Sequence, residues 1–337
     1  MRLKLLLLCG IFFVVIFLVG VFIEIFLFGE KTCGDGTPNG LCSSSAPFFC
    51  DRGVLVPKAS VCGCPSSLKQ EGDFCVSKYH TSPQKVNFSY VLDGKWKSLE
   101  FVVYEGVLQY FKEKRKKASL SDEKNVSRAD FKLGIINDSL QRELVLPLVM
   151  EIRNLDKDRI DQLRIAVSLV QNLAYNESRE RISVRGNEFS SFRFPYEVLY
   201  FGQGVCGERV NLLALLLREL GYGVAVLYYP EEDHEALGIK CSVEHSINGS
   251  GYCFVETTGP SIISSEENYY LGLGKLSSTP EIYVLFEGDS LENVREFADA
   301  DEFDSILRKI REEGKITRWQ KLKFERLKKR YGLDKIY

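Results

Sequence analysis

Gly202-Gln203-Gly204-Val205-Cys206-Gly207-Glu208-Arg209 runs directly into an apolar stretch, residues 210–220. A glycine-rich loop that delivers a cysteine onto the first turn of a buried helix is one way to build a thiol nucleophile. Backbone N–H groups and the positive end of the helix favour the thiolate, which is the reactive form. Downstream, His234 can act as general base and Glu256 as the carboxylate that orients it. In that chemistry His234 takes the Cys206 proton, the thiolate attacks an amide carbonyl, and the Cys206 N–H donates to the developing oxyanion. Gln203 and Tyr175 are candidates for a second oxyanion donor. His245 is the rival base, but it falls in the polar stretch 243–251, which has the composition of a hairpin loop; His80 falls in a linker.

These groups need elements to hold them. The spacing predicts a helix from Cys206 to about Leu220, closed by Gly221 as its left-handed cap. It is apolar nearly all round from Leu212 to Leu217, as a helix inside a core should be. Ile160, Leu163, Val167, Val170, Leu173 and Ala174 recur at helical spacing and predict a second buried face. Pro195 biases Phe194 away from helical geometry, so the nucleophile loop is expected to start from an extended segment. Strands are expected over 224–229, 234–240 and 252–258, which together with the helix suggest an α+β domain with an antiparallel sheet. Alternating residues on either side of Asp93-Gly94 predict a hairpin over 86–104. The basic run Lys114 to Lys117 carries no assigned function.

Strand alternation bears on Cys241 and Cys253. Parity places both cysteines on one face and lets His234 and Glu256 share the other. Yet Cys241 directly opposite Cys253 would set His234 opposite Pro260, about 13 Å from Glu256 at strand rise. A bridge and a His–Glu bond would then need a bulge or a folded-back loop between them. The two cysteines are therefore either a disulfide or two buried thiols. If they pair, and the upstream cysteines pair too, Cys206 is the leftover exterior thiol.

The chain has 337 residues and a net charge of −2, which excludes no function class. Residues 5–28, opened by Leu5 and closed by Phe28, are long and apolar enough for an uncleaved membrane anchor. Arg2 and Lys4 place residues 1–4 in the cytoplasm and the bulk outside, giving a single-pass cell-membrane protein. Six of the ten cysteines, Cys33, Cys42, Cys50, Cys62, Cys64 and Cys75, crowd a Gly-, Ser- and Pro-rich segment without helical or strand period. They predict three disulfides in a module over 29–77, with connectivity open. Zinc held by Cys62-Gly-Cys64 competes, though no paired Cys-x-x-Cys motif or histidine accompanies it. Asn87, Asn125, Asn137, Asn176 and Asn248 each open an Asn-x-Ser triplet and are candidate exterior glycosylation sites.

Several segments also carry a family resemblance. The segment from Phe194-Pro195-Tyr196 through Cys206-Gly207-Glu208 into residues 212–222 looks like the nucleophile segment of the transglutaminase-like superfamily. Asp233-His234-Glu235 and Val255-Glu256-Thr257 resemble its histidine and acidic strands, and Leu173-Ala174-Tyr175 matches the end of its preceding helix. The resemblance implies a papain-like core over 156–285, with a nucleophile helix packed on an antiparallel sheet. It implies Cys206, His234 and Glu256 as the triad, protein or cell-wall peptide as substrate, and no metal or cofactor for the chemistry. Val205 and Glu235 depart from the common pattern, and Glu256 stands in place of Asp. The cysteine-rich segment resembles a short module of archaeal surface proteins, which implies a spacer or binding role.

Residues 78–155 are expected to be a linker with accessory strand and helix, and 286–337 a basic helical extension. Residues 305–337 hold twelve Lys or Arg against four Asp or Glu, with apolar residues interspersed. An anionic surface is one partner for such a tail; a nucleic acid is not, since no recognition motif is present. Two function classes follow: an exterior thiol hydrolase or acyltransferase, and an adhesion or scaffold protein that uses the same fold without chemistry.

Overall fold

The computed structural model describes residues 32–118, 127–176, 181–184, 187–190, 192–265 and 276–335. The chain divides into two units, residues 32–64 with 70–75, and residues 65–69 with 76–335.

The first unit has little apolar material to bury, and cross-links hold it instead. It contains β1 (Phe48–Asp51) paired with β2 (Val54–Pro57), the one-turn helix α1 (Ala59–Cys62), and a short hairpin of β3 (Lys69–Glu71) and β4 (Phe74–Val76) at its edge. Disulfides join Cys33 to Cys50, Cys42 to Cys62 and Cys64 to Cys75, so both members of the Cys62-Gly-Cys64 pair are oxidised. Around them only Phe48, Leu55 and Ala59 supply buried hydrophobic side chains from β1, β2 and α1.

The second unit opens with a long hairpin, β5 (Pro83–Leu92) and β6 (Lys95–Tyr104). Its turn residues, Asp93 and Gly94, both have positive φ, 52° and 71°. That is the backbone twist a two-residue hairpin loop requires. Helices α2 (Gly106–Ala118), α3 (Arg128–Ile136), α4 (Ser139–Leu155) and α5 (Arg159–Gln171) follow, the last three capped by Ser127, Asp138 and Asp158 side chains that accept first-turn N–H groups. Helix α5 lies on β5 and pins it by Ser168, whose Oγ accepts the Val91 N–H at 2.8 Å. The short strand β7 (Ala174–Tyr175) and the hairpin of β8 (Arg181–Val184) and β9 (Asn187–Ser190) lead to α6 (Pro195–Phe201).

Helix α6 replaces the extended run-in expected before the nucleophile loop. Phe194 is extended, at φ −70° and ψ 156°, as a residue before proline should be. Pro195, however, starts the helix rather than stopping it, since the first helical position needs no N–H. Gly202, at φ 63°, ends α6, and β10 (Gln203–Gly204) turns the chain into α7 (Cys206–Glu219).

Helix α7 is the centre of the unit, with Val210 and Leu212 to Leu217 fully buried. It packs on β12 of a four-stranded sheet ordered β13-β12-β11-β14, comprising β11 (Val224–Tyr229), β12 (His234–Lys240), β13 (Tyr252–Val255) and β14 (Glu281–Phe286). All three pairings are antiparallel. The architecture is thus mixed α+β, with the cysteine-bearing helix against an antiparallel sheet.

Past β14 come α8 (Arg295–Glu313) and α9 (Arg318–Tyr331). Ala300, Phe303, Ile306 and Leu307 of α8 close over Phe324 and Leu327 of α9, together with Ile262 and Leu333. The basic tail is therefore helical and buries one stripe, while Trp319 stays 76 % exposed.

The membrane anchor needs correction. Among the described residues no helix is long and apolar enough to cross a membrane: α8, the longest, carries charges through its length, and α7 has only 14 residues. The expected span, residues 5–28, lies outside the described residues, and neither that anchor nor the single-pass cell-membrane location is retained.

Candidate active site

Cys206 is the first residue of α7, preceded by Val205 in extended geometry. First-turn N–H groups have no partner within their own helix. Here the Val205 N–H donates to Glu208 Oε2 at 3.1 Å, while Oε1 of the same carboxylate accepts the Arg193 N–H at 2.8 Å. Glu208 thereby fixes the approach of the chain to Cys206. Cys206 is partly buried and is the one cysteine outside a disulfide among the described residues.

His234 opens β12 and Glu256 stands just past the end of β13, both 1 % exposed. Nε2 of His234 lies 3.0 Å from Glu256 Oε2. The other carboxylate oxygen accepts the N–H groups of Thr257 and Thr258, at 2.9 and 2.7 Å, and the Thr258 hydroxyl at 2.7 Å. Glu256 is thus held by a fixed loop while it faces the ring. Burial disfavours an ionised Glu256, but the bond and charge of His234 and the Thr258 donors outweigh it and lower the carboxyl pKa. Burial likewise opposes a charged His234, yet the nearby Cys206 and the bond to Glu256 prevail and raise the imidazole pKa to about 10.

The strand register shows how a bridge and this pair coexist. Cys241 and Cys253 form a disulfide. Cys253 faces Ile239, however, and Val255 faces Leu237. Cys241 therefore sits two residues past the partner of Cys253, yet the two Cα atoms are 5.8 Å apart, within disulfide reach. Glu256 lies one residue beyond the last pair, Leu237 with Val255, and its long side chain reaches back to His234. No bulge interrupts these paired residues.

Gln203 and Tyr175, the second-donor candidates, lie on β10 and β7, which pair in parallel with Gly204 opposite Tyr175. The Gln203 Oε1 accepts from Asn176 Nδ2 at 3.0 Å, and Tyr175 is 50 % exposed. His245 lies instead on a 3-10 turn, its ring stacked on Phe297 with centroids 4.0 Å apart. Among the glycosylation candidates, Asn87, Asn137 and Asn248 are exposed and Asn125 lies outside the described residues. Asn176 is half-buried, and its Nδ2 donates to Gln203 Oε1.

Three groups at the site were not legible as such. Gln171 of α5 donates to the Glu256 and Ser261 carbonyls, at 2.9 and 3.2 Å, and so holds the acid loop. Arg128 and Lys132 of α3 converge on Glu235, the neighbour of His234, and Lys132 Nζ also reaches the Gly207 carbonyl at 3.3 Å. Arg209 of α7 is fully buried. Its presence at the head of an apolar helix is the one sequence signal that marks it; nothing in the local pattern marks Lys132.

A small cleft of about 30 Å³ opens elsewhere, among Leu92, Arg164, Gln171, Glu296, Arg330 and Tyr331. Gln171 is its link to the acid loop, and no triad residue lines it. Compared with known protein families, curated proteins and solved structures, the chain matches none.

Proposed function

We propose that the protein is a transglutaminase-like thiol enzyme that cleaves or transfers amide acyl groups of protein or wall peptides through a thioester on Cys206. The observation that carries this reading is the buried His234 ring, held by Glu256 through Nε2 at 3.0 Å, with Cys206 close enough to act on its charge. With Nε2 committed, Nδ1 is the nitrogen that exchanges a proton with the sulfur. Four disulfides agree with an oxidising compartment.

In the reaction, the Cys206 sulfur gives its proton to His234 and attacks the amide carbon. The resulting oxyanion is met by the Cys206 N–H. The C–N bond then breaks, and His234 returns the proton to the leaving amine. Water, or a second amine, gives a proton to His234 and attacks the thioester; the acyl group leaves as acid or new amide, and Cys206 recovers its proton. Glu256 holds the tautomer and offsets the imidazolium charge throughout.

Iodoacetamide at near-neutral pH should label Cys206 ahead of any other residue, and Cys206→Ala should abolish turnover of a peptide-amide library. Inert Cys206, with no turnover in the intact protein, would leave the fold as a binding scaffold.

A further inference from the structure

We propose that Arg209 is a positioning residue that supplies the balancing positive charge of the Cys206, His234 and Glu256 group, an inference that rests on reading that group as a thiol enzyme. Arg209 is the largest fully buried side chain of the protein among the described residues. A buried charge without an opposite charge is among the costliest groups a fold can hold. All three of its described hydrogen bonds go to backbone carbonyls: Gly204 at 3.0 Å, Thr257 at 2.9 Å and Leu173 at 2.7 Å. Carbonyls solvate a guanidinium but do not neutralise it.

The placement of those carbonyls explains the charge. Gly204 precedes the nucleophile by two residues, Thr257 follows the acid directly, and Leu173 ends the turn after α5. One planar fork therefore joins the loop of Cys206 to the loop of Glu256, which the five fixed donors of arginine suit better than any other side chain. In the reactive form a thiolate, an imidazolium and a carboxylate sum to one negative charge, and Arg209 brings the sum to zero. Burial opposes the Arg209 charge and holds its pKa down to about 10, while Glu256, Tyr175, Cys206 and Glu208 favour it; of these, Glu208 is already balanced by Arg193 at 3.1 Å. An apolar residue at this position would leave the three carbonyls without this donor, whereas a neutral amide could serve some of them without bringing a charge inside. The carbonyls explain a donor; the site explains the charge.

The test follows alkylation of Cys206 by iodoacetamide against pH in the full chain, for the natural protein, Arg209→Lys and Arg209→Gln, with melting temperatures alongside. Arg209→Lys, which keeps the charge, should preserve the profile. Arg209→Gln should move it upward by about one pH unit and slow labelling near pH 6 about tenfold, as loss of a charge this close to an anion predicts. A folded Arg209→Gln protein with the natural profile overturns the proposal, as does equal damage in both variants. Should Arg209→Gln fail to fold, the Arg209→Gln/Glu256→Gln double variant decides: recovery of the fold when the opposite charge is removed supports charge balance, and continued failure overturns it. If natural Cys206 proves inert, the thiol-enzyme reading falls separately. The melting temperatures of the two single variants and the double variant then still test the charge balance: Arg209→Gln must cost less in the Glu256→Gln background, and equal cost overturns it.

Discussion

His234 and Glu256 meet just beyond the last paired residues of β12 and β13, Leu237 and Val255, where Nε2 lies 3.0 Å from Oε2. A histidine–carboxylate pair of this burial ties catalysis and stability to the same two side chains, with opposite effects at the two ends of the pH scale.

His234 has its folded pKa raised above the ordinary 6.5, so its contribution to stability is fully present below about pH 6.5 and is lost as pH rises through about 10. Glu256 has its pKa lowered from 4.5, so its contribution is present above that value and is lost as pH falls through the depressed one. The melting temperature should therefore fall between pH 6.5 and 10. In His234→Gln that alkaline limb should flatten; equal slopes in the two proteins would show that His234 is not a charged buried group.

Glu235 faces two cations of unequal burial, the Lys132 side chain at 7 % exposure and that of Arg128 at 33 %. Removing the shared partner leaves Lys132 charged in the interior, so Glu235→Ala should cost about 3 kcal/mol in urea unfolding. Arg128→Ala should cost less than about 1 kcal/mol, since that half of the pair is open to water. Equal losses would mean that Lys132 is hydrated rather than dependent on Glu235.

The Cys241–Cys253 bridge closes a short loop, with a sequence separation of 12. Chain-entropy arguments put its contribution at about 3 kcal/mol. Cys241→Ser/Cys253→Ser should lower unfolding stability by that amount and slow iodoacetamide labelling of Cys206, because the same two strands carry His234 and Glu256. Unchanged labelling in the folded double variant would show that the loop around Glu256 holds the pair without the bridge.

Much of this arrangement is visible in one dimension. The limits of α7, β11 and β12 follow from apolar period and from Gly221, and the Asp93-Gly94 turn from residue type. The order Cys206, His234, Glu256 also stands in the sequence. What is hidden is relative. Parity says which face His234 and Glu256 share but not the two-residue offset between β12 and β13, because a register is fixed by both strands together. Pro195 is ambiguous alone, since proline breaks a helix interior and starts a helix equally well. Lys132 reaches Glu235 from 103 positions away, a distance at which no local pattern operates. Arg209 looks like the rim of a helix until three carbonyls from separate segments are seen around it.

The bridge between Cys241 and Cys253 also has a consequence in time. A slip of one residue between β12 and β13 would carry Glu256 to the face opposite His234. While both thiols are still reduced, nothing covalent holds the two strands to their offset. Oxidation adds a covalent limit on that offset, beside the loop that holds Glu256 through Thr257 and Thr258. Once Cys241 and Cys253 have paired, Cys206 is the one described cysteine left as a thiol.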